Sequence, residues 1–200
     1  MINFDNINIA FDKKELYKDF SIAFEKNSVN FIMGESGVGK TTLIKYIKDE
    51  LLLKGEKISV VYQESRLIPW KNVYRNLELV IKNKHKKDDR NRYIKEVLSN
   101  MNLDGIEKLY PNELSGGMKQ RVGIARAILY GGDIFIMDEP FKGLDKDNKN
   151  NLIDYLKRYF EENKKTAIII THDIEEVKEF NNRFIILENE PVISNIISIK

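Results

Sequence analysis

The sequence contains no cysteine, and this absence limits the kinds of site the protein can form and the cellular compartment we expect for it. Disulfide bonds and thiolate metal sites are excluded, and a reducing compartment is expected. A large excess of either charge is also missing, because 33 Lys and Arg residues nearly balance 31 Asp and Glu residues and leave a net charge of +2. Nearly balanced charge does not predict nucleic acid as the main partner.

Long apolar runs are absent as well. The start, MINFDNINIAF, has no basic leader followed by an apolar stretch, so we expect no signal peptide. No apolar run approaches the roughly 20 residues that a membrane-spanning helix needs. If the protein works at a membrane, we therefore expect other chains to do the spanning.

The sequence does have a globular composition and one strong motif. Its 200 residues suit one domain with a subsidiary lobe, and 42% hydrophobic residues can supply a core. Residues 34–41, GESGVGKT, fit the pattern G-x-x-x-x-G-K-[ST] of a phosphate-binding P-loop. Glycines let the backbone turn its N–H groups towards phosphates, and the helix that follows adds its positive dipole end. In this pattern Lys40 reaches the terminal phosphates, and the Thr41 hydroxyl suits Mg²⁺.

The hydrophobic pattern predicts an α/β fold. Residues 2–11 and 20–24 alternate apolar and polar, which indicates half-buried antiparallel strands. Residues 183–187 and 192–199 are expected to form a final hairpin. Four apolar runs without alternation indicate parallel strands that are covered on both faces. These four runs are residues 28–33, 58–62, 134–137 and 167–170.

Helical patterns fill most of the remaining chain. We expect helices after Lys40, over 115–130 and over 147–163, and an inserted helical lobe over 72–109. Within this lobe, the charged stretch 82–92 predicts a solvated connection between two helices.

Polar side chains follow each of the four apolar runs. The P-loop follows the first run, Gln63 the second, Asp138-Glu139 the third and His172 the fourth. Because ligands of open α/β sheets bind outside the carboxyl ends of the strands, we expect these groups to meet at one edge. There Asp138 can hold Mg²⁺, and Glu139 can orient or deprotonate an attacking water. His172 can contact a γ-phosphate or that water, although a lone histidine after a strand is more often structural.

A second anion-binding helix start is predicted in residues 114–121, LSGGMKQR. Ser115 can cap the helix, and Gly116 and Gly117 leave its first N–H groups uncovered. The alternative is an ordinary Ser-capped helix that has glycines at its start.

Together these motifs resemble the ATP-binding cassette (ABC) ATPases over nearly the whole chain. In the order of that family they are the Walker A motif at 34–41, the Q-loop at Gln63, the signature at 114–121, the Walker B motif ending at Asp138-Glu139, the D-loop at 143–145 and the switch histidine His172.

The resemblance implies a single domain over 1–200 with an α/β, P-loop NTPase fold. Its parts would be a mixed parallel core sheet, an N-terminal antiparallel β subdomain and an inserted helical subdomain. The nucleotide-binding core would cover 1–70 and 111–200, and the helical subdomain 71–110.

The resemblance also implies ATP and Mg²⁺ as ligands. Glu139 would be the general base, with Lys40, Gln63 and His172 as further catalytic residues. Thr41, Gln63 and Asp138 would form the metal site. The residues expected to bind the nucleotide are Phe11, Gly34, Glu35, Ser36, Gly37, Val38, Gly39, Lys40, Thr41, Thr42, Ser115, Gly116, Gly117 and Asp145.

The family's architecture further implies that the site is shared. Two cassettes, a homodimer or a pair, would close head to tail on ATP. Each nucleotide would lie between the P-loop of one chain and the signature segment of the other. Phe11 lies at the family's spacing for an aromatic residue that stacks on adenine. The alternatives are a core role for Phe11, or Tyr17 as the stacking residue.

The stretch VYQESRLIPWKNVYRNLEL resembles ABC importers for small oxyanions and organic sulfur compounds. In those proteins the corresponding segment lies near the groove that receives the transmembrane partner. We therefore expect residues 67–70 either at a docking surface or packed within the lobe. The implied partners are permease subunits and a solute-binding protein, without nucleic acid, and the implied place is the cytoplasmic, inner face of the cell membrane.

Two departures from the family pattern stand beside this resemblance. The segment between Lys40 and Gln63 is shorter than usual, and the D-loop reads KGLD. Two alternative functions stay open: an exporter cassette, and a soluble ABC ATPase that remodels a macromolecular complex.

Overall fold

The computed structural model describes residues 1–11, 14–180, 183–188 and 192–198. The strands are β1 Ile2–Phe11, β2 Lys14–Phe24, β3 Val29–Gly34, β4 Ile58–Val61, β5 Ile134–Asp138, β6 Thr166–Ile170, β7 Arg183–Glu188 and β8 Ile193–Ser198. The α-helices are α1 Lys40–Leu53, α2 Val73–Ile81, α3 Lys87–Asn100, α4 Gly116–Tyr130, α5 Lys146–Glu162 and α6 Ile174–Phe180. Within these ranges, no helix is both long and apolar enough to cross a membrane.

The central sheet has the strand order β4-β5-β6-β3-β7-β8. The four apolar runs form parallel neighbours, as predicted, and β7 adds a fifth parallel strand beside β3. The sequence pattern placed β7 only in a hairpin; it does pair antiparallel with β8, while the hairpin turn 189–191 lies outside the described residues. Strands β1 and β2 form a separate antiparallel sheet, in agreement with the alternating pattern.

Both faces of the central sheet are buried, which explains why its strands do not alternate. Phe31, Phe135 and Ile169 belong to an apolar cluster with residues of α2 to α6. Their chain neighbours Ile32 and Ile136 belong to a second cluster with residues of α1, β1 and β2. Because successive side chains of a strand point to opposite faces, each covering layer demands apolar residues at every second position. The two layers together produce continuous apolar runs.

The helical segment between β4 and α4 contains α2 and α3, and both share the first apolar cluster with the sheet. Asn72 caps α2 by accepting a hydrogen bond from the Arg75 N–H at 2.9 Å. The expectation of a solvated connection over 82–92 is wrong for its second half, because α3 begins at Lys87. Asp88 and Asp89 occupy the first turn of α3, where negative charge stabilises a helix. The subdomain boundaries at 70 and 111 stay a prediction.

The turn between α4 and β5 brings two backbones into close contact. A Cβ atom on Gly132 would lie 2.4 Å from the Ser59 backbone nitrogen of β4. The Ser59 hydroxyl accepts a hydrogen bond from the Gly132 N–H at 3.0 Å and donates one to the Ala127 carbonyl at 2.8 Å. Gly132 therefore lets α4 join the edge of the sheet.

We expect Gly132→Ala to lower the free energy of unfolding by about 2 kcal/mol or more, because the added methyl group meets backbone atoms that cannot move aside. Urea unfolding measures the change. The matched control is Gly105→Ala, whose methyl group meets nothing within 4 Å but whose φ of +78° should cost about 1 kcal/mol. An equal or smaller loss for Gly132→Ala would contradict the close-contact argument.

Candidate active site

The P-loop lies between the end of β3 and the start of α1. A Cβ atom on Gly34 would lie 2.7 Å from the Leu187 carbonyl oxygen of β7, a distance that real side chains do not reach. Gly39, immediately before α1, has a φ of 104°, and its Cβ position is crowded by Leu16 and Tyr17 at 3.0 Å. These two positions require glycine because the loop is pressed against β2 and β7.

Lys40 is held across the P-loop. Its Nζ donates hydrogen bonds to the carbonyl oxygens of Gly34 and Glu35, each at 2.7 Å. Burial lowers the pKa of Lys40, while the nearby Glu139 and Asp138 carboxylates act in the opposite direction. The ammonium group is thus placed inside the loop and opposite two acidic side chains.

One cavity of about 480 Å³ joins the P-loop to the ends of β4, β5 and β6. The structure therefore brings together the polar groups that follow the four apolar runs, as the sequence predicts. The lining residues are Gly34, Ser36, Gly37, Gly39, Lys40, Thr41, Thr42, Gln63, Asp138, Glu139, Lys142, Ile170 and His172.

Asp138 is the last residue of β5 and lies partly buried at the cavity wall. Burial raises the pKa of this carboxyl, and the neighbouring Glu139 raises it further, while Lys40 and Lys142 oppose the rise. An acidic group whose negative charge is disfavoured in this way gains most from a cation.

Glu139 and His172 form a pair at the mouth of the cavity. The Nδ1 atom of His172 lies 2.7 Å from Oε1 of Glu139. The backbone of Glu139 has a φ of +49°, and its N–H donates to the Ile170 carbonyl of β6 at 3.0 Å. A left-handed conformation is unfavourable for a residue with a side chain, and such residues concentrate at functional sites. The strained backbone turns the Glu139 carboxylate towards the histidine.

Three oxygen-bearing side chains in the cavity suit Mg²⁺. Thr41, Gln63 and Asp138 offer a hydroxyl, an amide carbonyl and a carboxylate, the ligand types that Mg²⁺ prefers. In the described part of the chain, no group of three or more His, Asp or Glu side chains is placed to hold a metal alone. The set fits an ion that takes its remaining ligands from substrate phosphates and water.

The signature segment lies apart from this cavity. Ser115 caps α4 by accepting a hydrogen bond from the Met118 N–H at 3.2 Å, and Gly116 has open space around it. Asp145 likewise caps α5, by accepting from the Asn148 N–H at 3.0 Å. Among the described residues, the cavity lining contains neither these caps nor Gly117. The exposed start of α4 therefore does not line this cavity of its own chain.

The remaining predicted contacts differ in outcome. Glu35 and Val38 line a neighbouring cavity of about 900 Å³ that shares Gly34 with the first. The side chain of Phe11 lies outside the described residues. The expectation that Tyr17 can stack on a base is wrong, because only 1% of it is exposed.

Tyr17 instead supports the P-loop from beneath. Its hydroxyl donates a hydrogen bond to the Gly39 carbonyl at 3.0 Å, and its ring packs edge-on against Phe20. Burial raises the pKa of Tyr17, which keeps the hydroxyl a donor. The alternating pattern of β2 does not reveal this contact, because it depends on how the small sheet packs against the loop.

Lys142 is a cavity residue that the sequence reasoning missed. It lies three positions after Glu139, in the segment DEPFK, and its charge counteracts the raised pKa of Asp138. A lysine only three residues after two adjacent carboxylates is the feature of the sequence that could have predicted this position.

Comparison with known proteins agrees with this geometry. The family model described as "ABC transporter" matches residues 17–142. The aliphatic sulfonates import ATP-binding protein SsuB of Bacillus cereus is 35% identical, over 95% of this chain and 82% of that protein. An uncharacterized ABC transporter ATP-binding protein of Methanocaldococcus jannaschii is 34% identical, over 94% of this chain and 71% of that protein.

Solved structures give the same result. A dimeric ATP-binding cassette in a post-hydrolysis state, bound to ADP and Pi, superposes with a TM-score of 0.82 at 28% identity, over 94% of each chain. A second dimeric cassette structure gives a TM-score of 0.81, over 93% of this chain and 94% of that one. The fold, the gathered motifs and these similarities lead to one conclusion: the chain belongs to the ABC transporter family of ATP-binding cassette ATPases.

Proposed function

We propose that this chain is the ATP-hydrolysing subunit of an ABC importer for a small solute. The observation that carries the proposal is the single cavity in which Lys40 and Thr41 of the P-loop meet Asp138, Glu139 and His172. The import function is supported by relatives named as aliphatic sulfonates import ATP-binding proteins. The solute itself would be selected by other subunits.

In this proposal the P-loop binds the ATP phosphates. The backbone N–H groups at the start of α1 supply donors, and phosphate oxygens replace the Gly34 and Glu35 carbonyls as acceptors for Lys40. Thr41, Gln63 and Asp138 would hold Mg²⁺. When bound, Mg²⁺ would neutralise charge that develops on the phosphate oxygens.

Hydrolysis then requires a base and an oriented water. Glu139 takes a proton from the water whose oxygen attacks the γ-phosphorus, and the bond from that phosphorus to the ADP oxygen breaks. The products are ADP and inorganic phosphate. His172, 2.7 Å from Glu139, holds the carboxylate in position and contacts the γ-phosphate.

The second half of the site would come from another copy of the chain. Ser115, Gly116 and Gly117 form a helix start with free donors, a natural anion site that does not line the cavity of its own chain. A head-to-tail homodimer would place these residues and Asp145 on the nucleotide of the partner. We propose that closure of that dimer on ATP drives transport.

The proposed membrane contact is the loop that precedes α2. Trp70, the single tryptophan of the chain, is 77% exposed there. The loop is tied to α2 by the buried Asn76 amide, whose Nδ2 lies within 2.8 to 3.2 Å of the carbonyl oxygens of Ile68, Lys71 and Asn72. An exposed aromatic side chain on a hydrogen-bonded loop suits a protein interface. We infer that permease subunits dock here and keep the protein on the cytoplasmic face of the membrane, with a solute-binding protein on the other side.

Glu139→Gln should keep ATP binding but lose about a hundredfold or more of the turnover rate, because the amide cannot accept the proton from water. Phosphate release measures turnover, and a fluorescent ATP analogue measures binding. Glu162→Gln, an exposed change at the end of α5, is the control and should leave both unchanged. Normal hydrolysis by Glu139→Gln would remove Glu139 as the base.

Ser115→Arg should leave nucleotide binding intact but prevent dimer formation, since the long cation fills the space where the partner's nucleotide would lie. Light scattering of Glu139→Gln with and without Ser115→Arg, in the presence of ATP, measures the mass. Ser99→Arg, another exposed serine of the helical segment, should still dimerise. A Ser115→Arg protein that dimerises with ATP would contradict the shared site.

Trp70→Ala should leave the ATPase rate of the isolated protein unchanged but weaken its capture of multi-span membrane subunits by about 30-fold, the effect of removing an aromatic anchor. Tagged protein purified from membranes, with quantitative mass spectrometry, provides the measurement. Tyr110→Ala, which removes another exposed aromatic ring, is the control. Equal capture by Trp70→Ala would place the docking surface elsewhere.

A further inference from the structure

Two consecutive residues at the start of α5, Asn148 and Lys149, contact two different functional segments. Neither is among the residues that line the cavity, and both are only partly exposed. Asn148 faces the signature helix α4, and Lys149 faces the loop that carries His172. The first turn of α5 is thus the place where these two segments meet through side chains.

The Asn148 side chain connects the D-loop cap to the signature helix. Its Oδ1 accepts a hydrogen bond from Nη1 of Arg121 at 2.8 Å, and its Nδ2 donates to Oδ2 of Asp145 at 2.7 Å. Arg121, only 8% exposed, also donates to the Met101 and Asn102 carbonyls at 2.8 and 3.2 Å. A buried guanidinium must keep its acceptors, so displacement of α4 pulls on Asn148.

The backbone on the same side is closely packed. A Cβ atom on Gly117 of the signature would lie 3.1 Å from Cδ2 of Leu144 and 3.4 Å from the Gly143 carbonyl. The start of α4 therefore lies close against the turn that precedes α5, with little space for a side chain between them. The hydrogen bonds of Arg121 and this contact join the two helix starts.

The Lys149 side chain connects α5 to the switch loop. Its Nζ lies 2.5 Å from Asp173 and 2.8 Å from Glu176. The buried Glu176 carboxylate also accepts a hydrogen bond from the Thr171 hydroxyl at 2.6 Å, and that hydroxyl accepts one from the Asp173 N–H at 3.0 Å. His172 lies in the chain between Thr171 and Asp173, which are both held by these contacts. The hydrogen bond from Lys149 holds the pKa of Asp173 below its usual range.

We propose that Asn148 and Lys149 are positioning residues that couple the signature segment to His172 within one chain. The signature segment would contact the partner's nucleotide, and His172 the chain's own, so this link lets one site report its occupancy to the other. The inference rests on the proposed function for the role of each segment. The link itself is independent of hydrolysis.

NMR of the histidine rings in the nucleotide-free protein tests the link directly. The chain has two histidines, His85 and His172, so ring signals labelled with ¹³C can be assigned by one substitution. His85 lies against Tyr93 in the helical segment and serves as an internal reference. We measure these signals in Asn148→Ala, Lys149→Met, Lys149→Arg and Lys157→Met.

Asn148→Ala and Lys149→Met should both move the His172 signals by more than a line width and leave those of His85 in place. Lys149→Arg should restore the wild-type position, because arginine keeps the charge and can reach both carboxylates. Lys157→Met is the matched control: it removes another lysine–glutamate pair between α5 and α6, with Glu179, and should leave His172 unchanged. Circular dichroism confirms that each variant is folded.

The second readout is ATP hydrolysis. The two variants that break the link should lower kcat by about tenfold or more, because small displacements of a catalytic group are costly. If the two sites communicate, we expect the rate of the wild type to depend sigmoidally on ATP concentration. The two variants that break the link should lose this dependence, whereas Lys157→Met should keep it together with the wild-type kcat. His172 signals that do not move in Asn148→Ala would overturn the inference, even if the wild type hydrolyses ATP. Failure of the wild type to hydrolyse ATP would instead reject the proposed function.

Discussion

The parallel register of β3, β5 and β6 is the constraint on which the active site depends. Ile32 and Asp138 both pair with Ile170, so β5 and β6 end at the same level, two residues before the end of β3 at Gly34. Backbone hydrogen bonds continue past these ends, from the Thr171 N–H to Ile32 and from the Glu139 N–H to Ile170. The P-loop, the acidic pair and the switch histidine therefore leave one edge of the sheet together. A shift of one residue in this register would turn the side chains to opposite faces and separate them.

Much of this could be predicted from the sequence because local chemistry determines it. The glycines of the P-loop, the helix cap at Ser115 and the non-alternating apolar runs each follow from a local requirement: a tight turn, a helix start and burial on both faces of a strand. The strand order, the parallel pairing of β7 and the buried position of Tyr17 could not be predicted in this way. They depend on which surfaces meet in three dimensions, and a single sequence carries no direct signal for that. The contacts of Asn148 and Lys149 belong to the same group, since an asparagine and a lysine in a first helical turn are typically solvent-exposed.

The proposed site has two separate parts in each chain, the cavity and the exposed start of α4. The proposed function depends on this separation. The cavity contains the groups that we propose bind ATP and activate a water. The signature segment offers backbone donors at the start of α4 and does not line that cavity. In the proposed dimer, a nucleotide contacts the cavity of one chain and the signature segment of the other, so ATP binding would draw the two chains together. Trp70 and its loop would pass this movement to a membrane partner.

A mixing experiment tests the shared site most directly. Lys40→Ala removes the lysine that we propose binds phosphate, and Ser115→Arg blocks the signature segment, so each variant alone should be inactive. In a head-to-tail heterodimer of the two, one site keeps Lys40 from one chain and Ser115 from the other. ATP hydrolysis by the equimolar mixture should therefore recover, to at most about a quarter of the wild-type rate when half of the dimers are mixed and each has one intact site. A mixture as inactive as its two components would contradict the account.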